Sequence, residues 1–516
     1  MRSVRWAAVG VLVWAAGQAG AWAAAPANQG ATEKVQYYAL LLDGKKVGYA
    51  RESRQEQGGE VAREVSMELT ITRLGTPLTV RVTERTRETT AGAPLGFASV
   101  QDLGRMSLRV EGEKTAAGEF EVVTTMMGRQ QRRQLAWPEG ALLGEGLERL
   151  SRRLGLQEGT AYAAKVFEPF ALQAVDVEVR VGPKKKVDLF GRVVELTEVE
   201  TTMRMGGQAV ATTGYVNDEH DGLKTTMMVM GMQIEMVACE EAFARSPNDV
   251  ADFVGQMMLA SPTALEGLEG AKAATYRLRL KGAGALEWAG DDNQQVRPDE
   301  QGGIQATVRP VEAKSGESFP YQGSDAAAAA ALAPTTYVQS DDERVRQLAR
   351  EAVGDAQDAA GAAARIEAFV GRYVEDKNLS VGYGSAAEVA RTRAGDCSEH
   401  ALLTAAMCRA TGIPARVAVG YVYTKELGGE KGAFAGHAWT QAYLGGRWVG
   451  LDATRCATCR EGSPAGQATQ RELLKKPSGC GVGHLLLATG NGDPQDFFQL
   501  LGISGKFQIA AVQLEK

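Results

Sequence analysis

The chain has 516 residues, of which 44% are hydrophobic and 23% charged, and carries a formal net charge of −6. That length implies two or three domains, with enough apolar residues for packed cores. The mildly acidic balance and the lack of a basic stripe exclude nucleic acid as the expected partner, and no long single-sign run suggests an interaction tail.

At the N-terminus, Arg2 and Arg5 precede an apolar run from Trp6 to Ala16 that only Gly10 interrupts, and Ala21-Trp22-Ala23 offers a cleavage site before Ala24. Residues 1–23 read as a signal peptide, since the run is short for a membrane span and ends in small residues. No later stretch is long and apolar enough to cross a bilayer, and no cysteine flanks the cleavage site to take a lipid. The expectation is an exported protein, periplasmic or secreted, with no stable membrane insertion after cleavage.

Residues 33–245 read as an antiparallel β-rich domain, a sandwich or an open barrel. Val35, Tyr37, Ala39 and Leu41 alternate, as do Val65, Met67, Leu69 and Ile71, and Val175, Val177, Val179 and Val181. Turn signals recur at Asp43-Gly44, Gly58-Gly59, Gly182-Pro183, Gly206-Gly207 and Asp221-Gly222. Leu143, Leu147, Leu150 and Leu154 form the stripe of one helix. Lys184-Lys185-Lys186, after Gly-Pro, is expected at a solvated hairpin tip. Met227, Met228, Met230, Met232 and Met236 have thioethers suited to copper(I), but the reading adopted is adaptable sheet core. Nothing here has the look of a catalytic set, and the domain is read as a binding or positioning module.

Residues 246–334 form a transition with strands at 275–280 and 304–311 and an acidic loop at 290–303; Asp291, Asp292 and Asn293 make no complete calcium loop. Ala326 to Ala331 reads as a linker or a short exposed helix. From residue 335 helices begin. Asp341 or Asp342 caps one, Ile366, Phe369, Val370 and Tyr373 mark a second, and Ser385 to Glu388 is a capping box for a third.

Gly395-Asp396-Cys397-Ser398-Glu399-His400 then reads as a tight turn that opens a helix carrying Leu402, Leu403, Ala406, Met407 and Ala410 and ending at Gly412 and Pro414. Cys397 falls in the first turn, where unpaired N–H groups and the helix dipole favour the nucleophilic thiolate. Ala415 to Tyr423 is a strand, and 428–436 reads as a loop walling a cleft. Strands at 436–443 and 447–454 flank Gly445-Gly446, a two-residue hairpin turn that sets 439 opposite 452 and 437 opposite 454. His437 and Asp452 then share a face as diagonal neighbours, with the carboxylate able to orient the imidazole. His400, one turn beyond Cys397, is the rival base, but it points along the helix surface and is read as structural or substrate-lining.

The ordered set GDCSEHA, GIPARV, HAW and LDAT resembles the transglutaminase-like superfamily, whose fold belongs with the papain-like cysteine proteases, over about residues 335–516. The resemblance implies an α+β protein whose C-terminal domain packs helices on an antiparallel sheet. It implies Cys397 as nucleophile, His437 as general base and Asp452 as orienting acid. The expected activity is on amide bonds of a protein or peptide, by hydrolysis or acyl transfer, with no cofactor and no catalytic metal. The alternative is a catalytically weak fold that binds peptides or scaffolds the cell envelope. After LDAT, Cys456, Cys459, Cys480 and His484 form C-x2-C-x20-C-x3-H, which leaves a disulfide, a structural zinc site and free thiols open.

Overall fold

The structure, a computed structural model, describes residues 32–73, 76–103, 106–126, 129–205, 208–229, 231–252, 258–281, 288–300, 302–376, 384–427, 430–455, 480–492, 505 and 507–516. The expected signal peptide, Met230, Cys456 and Cys459 lie outside these residues. The chain divides into two compact units at residue 253.

In the N-terminal unit, fifteen strands between Thr32 and Cys239 form one sheet. The first strand, Thr32–Leu42, pairs with its successor Lys45–Gln57 on one side and with the last, Met232–Cys239, on the other. Outward from there each strand pairs with its sequence neighbour, ending at Arg129–Leu135 and Ala141–Leu142. A single sheet with two ends matches the open form of the expectation rather than two stacked sheets. One face is buried, by Tyr38, Met67, Val82, Phe97, Phe120 and Val177 among others. Met227, Met232 and Met236 are buried on it while Met228 is exposed, so these methionines follow the pleat as core residues do. Lys184 to Lys186 do not tip a hairpin. They lie within the long strand Gln173–Leu189, just past a register shift at Val181. A bulge there accommodates Pro183, which cannot donate to a ladder. Lys184 and Lys185 pair with Asp218 and Glu198.

The helix Gly144–Leu154 buries Leu147, with Leu143 buried just ahead of it. No side chain of its own caps it. Glu88, fully buried on the strand Thr76–Thr89, instead accepts from the N–H groups of Glu145 (2.7 Å) and Gly146 (2.8 Å). Nearby, Arg63 is buried between Glu52 (3.1 Å) and Glu148 (2.8 Å).

The C-terminal unit includes the stretch read as a transition. Strands Ala273–Leu280, Gln294–Pro298 and Ile304–Val308 form a four-stranded sheet with Phe507–Glu515. The acidic stretch is therefore partly a strand, which pairs with the adjacent Ile304–Val308. Ala326–Ala330 is a short helix capped by Asp325. Among the described residues four helices follow: α1 (Glu343–Val353), α2 (Ala359–Tyr373), α3 (Ala386–Thr392) and α4 (Cys397–Ala410). Asp342, Asp358 and Ser385 cap the first three. They accompany a second, five-stranded sheet in which β1 (Ala415–Leu427), β2 (Glu430–Leu444), β3 (Arg447–Leu451) and β4 (His484–Gly490) run in the order β3-β2-β1-β4 and the short strand Leu259–Ala260 also pairs with β2. The loop expected at 428–436 is instead largely β2, because Ala433 and Phe434 pair with Ala260 and Leu259 on one side and Thr424 and Tyr423 on the other.

Candidate functional site

Cys397 is the first residue of α4 and is half-buried. Asp396 caps the helix by accepting from Ser398 N–H at 3.1 Å, while Glu399 Oε2 accepts from Asp396 N–H at 2.9 Å, completing a capping box. The other oxygen of Glu399, which is fully buried, accepts from Gly384 N–H at 2.8 Å and ties the loop before α3 to the cysteine turn. Glu399 thus does more than complement the dipole. Gly395 is required here, since a Cβ on it would lie 2.2 Å from Glu399 Cβ. His400 is buried and its Nδ1 lies 2.7 Å from the Asp396 carbonyl, which ties the ring into the turn itself.

The β2–β3 hairpin has the register expected from Gly445-Gly446. Thr440 pairs with Leu451 and Leu444 with Arg447, which carries 437 opposite 454. His437 lies on β2 and Asp452 just beyond β3, and both are buried. His437 Nε2–H donates to Asp452 Oδ2 at 2.7 Å. Cys397 lies close enough to the same ring to act on it electrostatically. The three residues named from the sequence therefore meet. Thr440 Oγ1–H donates to the Ala401 carbonyl at 2.8 Å, so β2 is fastened to α4 close to the thiol.

Burial alone pushes the His437 pKa down, but the charge of Asp452, the hydrogen bond to it and the nearby Cys397 raise it to about 10. Burial likewise works against an ionised Asp452, yet His437 and His484 hold its carboxyl well below the usual range. Asp452 is fixed by more than its imidazole. Its N–H donates to Glu367 Oε1 of α2 at 2.8 Å, and its Oδ1 accepts from the N–H of Thr454 at 3.1 Å and from the Thr454 hydroxyl. His484 Nε2 approaches the same Oδ2 at 3.0 Å, and Trp439 packs against both imidazoles. Glu367, Thr454 and His484 were not singled out from the sequence as parts of this site; only LDAT, which contains Thr454, pointed toward one of them.

Among the described residues, His437, Asp452 and His484 are the group whose ligand atoms, within 4.8 Å of one another, approach a metal site. Their separations of 2.7 and 3.0 Å are hydrogen-bond lengths, shorter than the roughly 3.3 Å between ligands that zinc bonds of about 2.0–2.1 Å at tetrahedral angles require. As they stand, these side chains hold protons. Both ring nitrogens of His484 are engaged, with Asp452 and with the Gly481 carbonyl; of the cysteine set considered for structural zinc, only Cys480 lies among the described residues. Cys480 forms no disulfide in the structure; it is buried, and burial raises its pKa well above the ordinary value. Cys408, on α4, is fully buried and its thiol is pushed up to about 12. Among the described residues no helix is long and apolar enough to cross a membrane.

Residues 346–453 match the family model for the transglutaminase-like superfamily. Among solved structures, the chain is similar to a candidate cysteine protease from Cytophaga hutchinsonii, at 19% identity and a TM-score of 0.29 over 47% of this chain and 88% of that one. It is similar to a β-barrel-like protein of a domain of unknown function from Brucella abortus, at 13% identity and a TM-score of 0.30 over 40% of this chain and 95% of that one. It is also similar to the periplasmic domain of TgpA from Pseudomonas aeruginosa, at 17% identity and a TM-score of 0.25 over 38% of this chain and 88% of that one. No curated protein matches the chain.

Proposed function

Residues 346–453 carry a transglutaminase-like domain, and from that premise we propose that the protein is an exported cysteine enzyme acting on amide bonds of proteins or peptides. The observation that carries the reading is the position of His437, hydrogen-bonded to Asp452 and within electrostatic reach of Cys397. With Nε2–H committed to Asp452, Nδ1 is the nitrogen left to take the thiol proton. The thiolate attacks the amide carbon. The carbonyl oxygen becomes an oxyanion, for which the Cys397 N–H at the start of α4 is the proposed donor. As the intermediate collapses, the C–N bond breaks and the imidazolium returns its proton to the leaving amine. A thioester on Cys397 remains. Water resolves it in hydrolysis and a second amine in acyl transfer, with His437 again the base. The N-terminal β-rich unit is proposed to bind or position the substrate, and the signal-like segment at residues 1–23 supports export to the periplasm or the medium.

The test is alkylation of Cys397 by a thiol reagent as a function of pH, read by mass spectrometry, with Cys397→Ser and His437→Ala controls. The expected inflection lies well below the free-thiol value of about 8.5 and moves up in His437→Ala. Ordinary reactivity that is indifferent to His437 would overturn the enzyme reading and leave a peptide-binding or scaffolding role.

A further inference from the structure

Asp452 Oδ2 meets two imidazoles, His437 Nε2 at 2.7 Å and His484 Nε2 at 3.0 Å. His484 comes from β4, which lies on the other side of β1 from β2. Its remaining nitrogen, Nδ1, lies 3.1 Å from the Gly481 carbonyl. Both ring nitrogens of His484 therefore face acceptors. A neutral imidazole has one N–H and satisfies one of them; the imidazolium satisfies both.

The groups around this ring oppose a second charge. Burial, the charge on His437 and that on Arg455 act to keep His484 neutral, while Asp452 acts to charge it. Beyond these lie the ring of Trp439 and, paired with His484 on β1, the apolar Val422. One carboxylate thus stands between two buried bases, and the proton that charges one is added against the charge on the other. His437 is held more closely by Asp452, and it alone also faces Cys397.

We propose that His484 is a positioning residue of this site, which holds Asp452 Oδ2 alongside His437 and exchanges with His437 the role of charged partner to that carboxylate. A proton taken up by His437 makes one on His484 less favourable, and a proton given up by His437 makes one on His484 more favourable, the His484 proton being exchanged with solvent water. The basicity of His437 is thereby capped. The role of Cys397 rests on the function proposed above; the sharing of Asp452 does not.

The chain has only four histidines, His220, His400, His437 and His484, so imidazole 15N resonances of the histidine-labelled full-length protein can be assigned one by one through single substitutions. Titrations of the wild type, His484→Gln and His484→Leu test the proposal. In the wild type, His437 is expected to show two steps, one of them coincident with His484. In His484→Leu it is expected to titrate in one step, with a midpoint raised by about half a pH unit or more because the carboxylate is undivided. Gln keeps a donor on Oδ2 but cannot be charged, so His484→Gln should also show one step, with a midpoint nearer the wild-type value. A His437 titration that keeps its midpoint and both steps in the two variants would overturn the proposal. If the Leu variant fails to fold, the Gln variant alone decides, by loss or retention of the second step. A parallel titration of Cys397→Ser separates this from the enzyme reading: a His437 signal indifferent to Cys397 would count against the thiol pair, while the coupling to His484 would still be read.

Discussion

Asp452 is the most constrained side chain of the site. It is buried and accepts from His437, His484 and twice from Thr454. Replacing it with Asn keeps the volume but removes the charge and puts an N–H where an acceptor is needed. Asp452→Asn is expected to slow acylation of Cys397 by roughly two to four orders of magnitude, measured as single-turnover reaction with an activated ester. The pH dependence has a definite sign. A carboxyl held below its unfolded value adds stability that is present above that value, about 3.9, and is lost as pH falls through the folded one. The C-terminal unit of the wild type should therefore lose stability in acid below about pH 4, and Asp452→Asn should flatten that loss in a circular-dichroism titration. Cys397, His437 and Asp452 were legible because each sits where a short-range rule applies, at a helix start, on a strand and beside a two-residue turn. Glu367 and His484 were not, because they reach Asp452 from 85 and 32 residues away and no local period encodes that distance.

Helix starts in this protein are satisfied in two different ways. The start of α4 is self-contained, with Asp396 and Glu399 in the same turn, and was visible as a turn signal. The helix Gly144–Leu154 is not. Its leading N–H groups bind Glu88, from a strand more than fifty residues earlier, and only its leucine stripe could be read in advance. The sequence offered no conventional cap at Leu143, and the missing acceptor was supplied by tertiary structure. Glu88→Leu should leave two buried N–H groups without their acceptor and cost about 1–3 kcal/mol, seen as a lower midpoint in urea for the N-terminal unit. Glu88→Gln keeps one acceptor and should cost less. The hairpin carrying Asp452 shows a similar dependence on distant residues. Asp292 Oδ2 accepts from Trp448 N–H at 2.7 Å, and Gln294 both donates to and accepts from Leu486 at 2.9 Å, one residue pair beyond His484. The stretch read as a plain acidic loop is a brace for both strands.

The two units answer pH differently. In the N-terminal unit, burial raises Glu52 to about 7 despite the charge of Arg63, and burial also raises Glu84 to about 7. A carboxyl with a raised folded value adds stability that is complete below its unfolded pKa of about 4.3 and is lost as pH rises through the folded one. Calorimetry between pH 5 and 8 should show the N-terminal transition moving to lower temperature as pH rises, by a few degrees, and Glu84→Gln should reduce that slope. The meander of this unit was readable because alternation and turn residues are both local signals. Where pairing skips along the chain, as for 273–308, reading stopped at isolated strands.

Strand Phe507–Glu515 pairs with Ala273–Leu280 and thereby joins the two ends of the C-terminal unit. This has a consequence in time. As the chain is synthesised, Cys397 is made before His437, Asp452 and His484, and all of them before the strand that completes the sheet. Such long-range pairing is slow to form. The nascent polypeptide therefore carries Cys397 for a while before His437, Asp452 and His484 are in place beside it.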